Sequence, residues 1–179
     1  VLNAVLAELV HHGYDSLTVD GVATRSGVHR TSIYRRWGDV GGLLADALQA
    51  ANDDGWAPPD TGSLAGDLAA MNRQMQRALT VRPSITAAVI AASFRSPEAA
   101  SALRAFFADR YRRGAEVVQR AVDRGELPPE TDGYRLLVAA TAPVYHHLVL
   151  LGDDLSVVQA EQYGRDAAAA AVRQLAPDH

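Results

Sequence analysis

Leu17–Leu44 reads LTVDGVATRSGVHRTSIYRRWGDVGGLL, and how it folds decides what the rest of the chain is for. Thr18 is a helix-capping residue ahead of a short run, about Val19–Arg25, whose Val22 and Ala23 face inward. Ser26-Gly27 supplies a turn, and a second short helix is predicted over about His29–Arg36. Asp39 then caps a longer helix through about Asn52, carrying Leu43, Leu44, Ala47 and Leu48. Two short helices across a glycine turn form a helix-turn-helix unit, an arrangement that serves DNA reading and plain structure alike.

The second short helix carries the chemistry. At 100° per residue Ile33 and Trp37 fall together and can pack inward, while Thr31, Tyr34 and Arg35 fall roughly opposite. Between Gly21 and Gly38 stand Arg25, Arg30, Arg35 and Arg36 and no acidic residue. Arginine can fork onto guanine, and hydroxyls, tyrosine and backbone N–H groups hold phosphates. Since the formal net charge of the chain is −4, any attraction for nucleic acid has to come from a local patch such as this one.

Composition narrows the other possibilities. Hydrophobic residues make up 48% of 179, enough for a buried core in one large domain or two smaller ones. Cysteine is absent, which excludes disulfides, thiolate metal sites and cysteine nucleophiles, and suits a reducing cytoplasm. All 17 basic residues counted as Lys+Arg are arginines. The apolar run Leu136–Leu151 is broken by Thr141, Pro143, His146 and His147 and is too short for a membrane span. No signal peptide is visible, and Val1 already stands inside a helical pattern, so residues upstream are expected. No HExxH, GxSxG or phosphate-loop motif occurs, and neither enzymatic activity nor a cofactor or metal is expected.

Helical spacing recurs along the whole chain and strand alternation persists nowhere, so the expected fold class is all-α, with about nine helices. The first, Val1–His12, stops at Gly13. After the linker Asp53–Gly62 come helices over Ser63–Val81, from Pro83 to near Arg95, and from Ser96-Pro97-Glu98 to about Arg124. Leu64, Leu68, Met71, Met75 and Leu79 mark the inner face of the first of these. An apolar helix over Asp132–Leu151, kinked by Pro143, and a last helix from Ser156 to near Ala176 complete the set. The expected organisation is a helix-turn-helix domain over 1–38, a connecting helix over 39–54 and a larger helical domain over 55–179.

The segment Gly13-Tyr14, Leu17–Ala23, Gly27-Val28, Ser32–Trp37 and Leu43-Leu44 resembles the N-terminal domain of the TetR family of bacterial transcriptional regulators. The GSLAGDL, SPEAASALRAFF and RGELPPETD stretches are similar, less specifically, to one common subgroup of that family's regulatory domains. The resemblance implies a transcriptional regulator, most often a repressor released from a palindromic operator by a small-molecule effector. It implies that Thr18 holds a phosphate, that His29, Arg30 and Thr31 approach base edges with Arg35 further along, and that Tyr34 and Arg36 clamp the backbone, with Ser32 beside them. Val40 stands where the family usually has a phosphate-binding lysine, which predicts a shallower salt dependence. The Gly41-Gly42 pair weakens the start of the connecting helix.

The same resemblance implies an effector cavity between helices. Its candidate lining is Trp56, Met71, Met75, Ile85, Val89, Phe94, Phe107, Tyr111, Tyr145 and His146, although such side chains at helical spacing also build ordinary cores. The last two helices are apolar on more than one face, which predicts a two-fold homodimer through Leu137, Leu148, Leu151, Val158, Ala168 and Val172. A rival reading is a dimeric helical small-molecule-binding protein that has lost DNA binding; Val40 and the acidic net charge speak for it.

Overall fold

A computed structural model describes residues 1–52, 56–81 and 84–173. Among them there is no strand and there are nine α-helices: α1 (Leu2–His12), α2 (Val19–Ser26), α3 (Arg30–Trp37), α4 (Val40–Asn52), α5 (Leu64–Thr80), α6 (Ile85–Ser93), α7 (Pro97–Asp123), α8 (Gly133–Tyr145) and α9 (Val157–Arg173). A 3-10 turn at Tyr14–Ser16 and a π-helical turn at His146–Leu151 complete the order. Pro83 as a helix start and the last helix's end near Ala176 lie outside the described residues, as does part of the Asp53–Gly62 linker. None of the described helices is long and apolar enough to cross a membrane.

Side chains that satisfy orphan backbone N–H groups open most of these helices. Thr18 Oγ1 accepts from Gly21 N–H at 3.0 Å, and Asp39 Oδ1 accepts from Gly42 N–H at 2.9 Å. Ser84, Ser96 and Asp132 do the same for α6, α7 and α8. Ser156 and Gln159 form a reciprocal capping box: Ser156 Oγ accepts from Gln159 N–H at 3.2 Å, and Gln159 Oε1 accepts from Ser156 N–H at 3.0 Å.

The chain divides into two compact units, one of Val1–Trp56 with Val81–Asp109, the other of Ala57–Thr80 with Arg110–His179. This division differs from the one read from sequence, because α6 and the first part of α7 pack with the N-terminal helices. Ala88, Val89, Ala92 and Ala99 join the cluster formed by Val5, Leu9, Val22, Ile33, Leu43 and Leu44. Sequence spacing shows that a helix has an apolar face but not which neighbour covers it.

In the second unit, buried Leu64, Leu68, Val117, Leu136, Leu137, Ala140 and Ala168 form the core. Here α5 and α9 approach so closely that a Cβ at Gly164 would lie 2.6 Å from the Leu68 carbonyl carbon and oxygen. Ala160 and Ala168, one turn either side, are buried on the same face. The expected inner face of α5 needs amending. Met71 and Met75 are only half-buried, whereas Asn72 and Gln76 are buried. Asn72 Nδ2 donates to the carbonyls of Ala140 at 2.8 Å and Ala160 at 3.0 Å, and Gln76 Nε2 to that of Leu155 at 2.9 Å. These amides tie α5 to its neighbours, which is why polar residues occupy core positions. Near the start of α5, Glu126 accepts from Leu64 N–H at 2.8 Å. Burial alone would raise its pKa, but that bond and the Arg124 guanidinium outweigh it and hold the carboxyl below its ordinary value.

The helix expected over Asp132–Leu151 is α-helical only to Tyr145, passing through Pro143 before it widens into the π-turn. The turn ends at Gly152, in the left-handed region at φ 69°. His147 links this turn to its surroundings: its Nε2 lies 2.9 Å from the Tyr163 hydroxyl of α9, and its Nδ1 lies 3.3 Å from Asp153 Oδ2.

Because the obstacle at Gly164 is backbone, which cannot rotate away, Gly164→Ala forces α5 and α9 apart. Urea unfolding should show a loss of about 1–3 kcal/mol, and no loss would contradict this contact.

Candidate nucleic-acid interface

The helix-turn-helix unit is built from α2, a turn and α3. α2 ends at Gly27, whose φ of 70° is the left-handed conformation that lets its N–H bond back to the Ala23 carbonyl at 2.9 Å. α3 then starts after His29, whose ring Nδ1 accepts from Thr31 N–H at 3.3 Å. Ile33 has 0% of its surface exposed and lies in the N-terminal core with Val22 and Leu43. Trp37, partly buried against the same core, donates from Nε1 to Asp46 Oδ2 of α4 at 2.8 Å. The inward face of α3 is thus pinned at both ends of its last turn.

Thr18, His29, Arg30, Thr31, Ser32, Tyr34, Arg35 and Arg36 are all exposed. Tyr34, a large ring, leaves 50% of its surface in solvent. The Thr18 hydroxyl accepts a backbone N–H, which leaves its own proton free for another acceptor.

The four arginines of the acid-free window are not equivalent in three dimensions. Arg25 is bonded through Nε to Glu8 of α1, a carboxylate supplied from outside the window. Arg30 has Asp20 of α2 at 3.7 Å, though both side chains are largely exposed and the pairing is loose. The Arg36 guanidinium lies 4.9 Å from the Trp37 ring centroid. Among the described residues only Arg35 of the four has neither a carboxylate nor a ring partner. Spacing identified the basic face; only the fold distinguishes the cation that is uncommitted on it.

The glycine pair has a local reason at its second position. A Cβ at Gly42 would lie 2.4 Å from the Trp37 carbonyl oxygen, so α4 can follow α3 this tightly only with glycine there. An open hollow of about 430 Å³ lies beside this junction, lined by Arg36, Trp37, Gly42, Ala45, Asp46 and Gln49.

The expected effector-cavity residues separate. Met71 and Tyr111 pack against the core of the second unit. Tyr145 is near Tyr111; burial pushes its phenol well above its ordinary value, Tyr111 adds to the rise, and Arg110 opposes it. Met75 is half-buried and His146 is exposed. In the first unit Val89 is buried core rather than cavity wall, and Phe94, at the end of α6, is 77% exposed. Ile85 is exposed, while Phe107 and Trp56 are half-buried. Among the dimer candidates Leu137 and Ala168 are taken up by the chain's own core, so neither is free for a partner. Leu151, Val158 and Val172 are exposed and Leu148 is half-buried. Exposed Leu150, beside Leu151, was missed because period-3.6 counting does not hold through a π-turn.

Residues 1–47 match the description of bacterial regulatory proteins of the tetR family, and residues 58–174 match a tetracyclin repressor-like C-terminal domain. The chain belongs to the TetR family of bacterial transcriptional regulators. Relatives include the HTH-type transcriptional regulator AqdR of Rhodococcus erythropolis, 31% identical over 157 residues that span 87% of this chain and 75% of that protein. The DNA-binding transcriptional repressor TetR of Mycobacteroides abscessus is 32% identical over 158 residues, 85% of this chain and 82% of that one. The crystal structure of the TetR family transcription regulator SCO0332 superposes with a TM-score of 0.73 at 29% identity, covering 94% of each chain. This TetR-family chain is therefore a DNA-binding transcriptional regulator, and its relatives are regulators rather than enzymes.

Burial of Ile33 and exposure of Tyr34 make opposite demands on stability. Denaturant unfolding of Ile33→Ala should show a loss of about 2–5 kcal/mol, against a change within about 0.5 kcal/mol for Tyr34→Ala. Equal losses would mean that α3 is rotated from the orientation described.

Proposed function

We propose that α3 is the DNA-reading helix and that the regulator acts as a homodimeric repressor of a palindromic operator, released by a small-molecule effector. The observation that carries this reading is the outward face of α3: exposed Thr31, Tyr34 and Arg35 opposite fully buried Ile33. A helix held by one side and bare on the other can enter a major groove without disturbing its own domain. Arg35, uncommitted to any carboxylate, is the base-reading cation; Tyr34, Arg36, Ser32 and Thr18 hold phosphates, and Arg30 and Thr31 reach the groove from the start of the helix. The loose Asp20 contact leaves Arg30 able to exchange a carboxylate for a phosphate or base at small cost.

Dimerisation rests on the exposed apolar positions of the last two helical segments. Leu150 at 69%, Leu151 at 55%, Val158 at 71% and Val172 at 45% exposure are apolar side chains that these segments leave in solvent. Two copies joined there would present two copies of α3, which matches the two half-sites of a palindrome. Tyr111, Tyr145, Met71 and Met75 remain the candidate effector contacts of the second unit. The alternative, a dimeric helical small-molecule-binding protein that has lost DNA binding, is the weaker reading, since it leaves the exposed basic face of α3 unexplained. The cytoplasm is the compartment that such a DNA-binding role implies.

Arg35→Ala and Tyr34→Ala should each abolish specific retention of operator DNA in a gel shift while leaving the sedimentation coefficient unchanged; intact retention in both variants would refute the role of α3. Val158→Glu places a charge in the proposed dimer face and should shift sedimentation equilibrium toward the monomer. A mass unchanged from the wild type would remove Val158 from that face.

A further inference from the structure

We infer that Glu8 is an affinity-limiting acid of the DNA-facing surface: it holds Arg25 against α1 and so keeps one arginine away from the phosphates. This rests on the reading of the helix-turn-helix face as the one that meets DNA. It adds a residue outside that face which sets how strongly the face binds.

Glu8 stands on α1 among buried Ala4, Val5, Leu6 and Leu9, and is itself buried. A carboxylate in such a position needs a cation or hydrogen-bond donors. Its donor comes from α2, where Arg25 Nε bonds to Glu8 Oε1. His12, one turn along α1, has its Nε2 3.9 Å from Glu8 Oε2, too far for a hydrogen bond. An apolar side chain at position 8 would pack α1 on α2 as well; what the acid adds is a hold on Arg25.

The place of this pair gives it a bearing on DNA. The point that a Cβ on Gly21 would occupy lies 3.2 Å from Glu8 Oε2 and 3.2 Å from Thr18 Oγ1. Thr18, Gly21, Glu8 and Arg25 thus share one side of α2, with the carboxylate beside the hydroxyl proposed to hold a phosphate. Arg25 follows Thr18 by nearly two full turns, which puts it on the same side about 10 Å along the helix. The residue is exposed even while bonded, and what ties it to α1 is the Glu8 carboxylate.

The two effects of Glu8 on duplex binding have the same sign. Its charge repels a phosphate at Thr18, and its bond withholds a cation. Each phosphate that a protein neutralises releases condensed counterions, so one cation fewer weakens binding to every duplex and makes it less sensitive to salt. Valine rather than lysine at position 40 acts in the same direction. Such a regulator depends more on base contacts and less on the attraction that holds proteins to irrelevant DNA.

Binding of the intact chain to a fluorescent duplex of unrelated sequence, followed by anisotropy across a salt series, tests this. Glu8→Leu suits the apolar surroundings and frees Arg25. Its plot of log affinity against log salt should be steeper than that of the wild type by about one, the share of one phosphate. Between about 50 and 200 mM salt it should therefore lose about three- to fourfold more affinity than the wild type. Glu8→Gln, which keeps the side-chain shape, takes its place if Glu8→Leu does not fold, and should steepen the plot in the same direction. Adding Arg25→Ala to either variant should return the slope to the wild-type value. Equal slopes for the wild type and the Glu8 variants overturn the proposal, as does a steep slope that survives Arg25→Ala. Arg36→Ala checks the surface itself and should flatten the slope by about one. If it does so while the Glu8 variants leave the slope unmoved, only the role of Glu8 falls; if Arg36→Ala changes nothing, the DNA-facing reading falls as well.

Discussion

The burial of Ile33 fixes the rotation of α3 about its own axis, and nearly everything of functional interest in the first unit follows from it. α3 has only two turns and makes no extensive contact of its own. One fully enclosed side chain, with Trp37 tied to Asp46 one turn later, therefore decides which residues face out. Rotating α3 by a single residue would turn Tyr34 or Ser32 into the core and leave a polar group there without partners. The sequence admits one rotation, and in that rotation Thr31, Tyr34 and Arg35 are exposed together.

Around that anchor the fold sorts the basic residues into separate tasks. Glu8 of α1 holds Arg25, so this arginine contributes to the packing of α1 on α2 more than to any external surface. Asp20 lies by Arg30 without enclosing it, and Trp37 takes the face of Arg36. An acidic protein can carry a phosphate-facing surface on such terms because Coulomb attraction at a surface is local, cut off within about a Debye length. The net charge of −4 is thus no obstacle to DNA binding.

The second unit uses small residues and buried amides where the first uses aliphatic anchors. Gly164, with Ala160 and Ala168, lets α5 and α9 touch backbone to backbone, and Asn72 and Gln76 hydrogen-bond across the gaps. A core stitched in this way has directional bonds and fixes the relation of α5, α8 and α9 more narrowly than apolar packing alone. The π-turn at His146–Leu151 is the exception to regular geometry, held to α9 through His147 and Tyr163.

By itself the sequence determined the helical class, the caps at Thr18 and Asp39, the helix-turn-helix unit and its outward face. Each of these is a local matter of period, cap chemistry and turn residues spaced a few positions apart. Tertiary structure alone decided what depends on residues far apart in the chain: that Glu8 neutralises Arg25, that Val89 joins the N-terminal core, that Leu137 and Ala168 are enclosed, and that Asn72 is buried. Periodicity reports that a face is apolar and is silent about what covers it. A buried amide looks, along the chain, like an exposed one until the carbonyls that receive its protons are brought alongside.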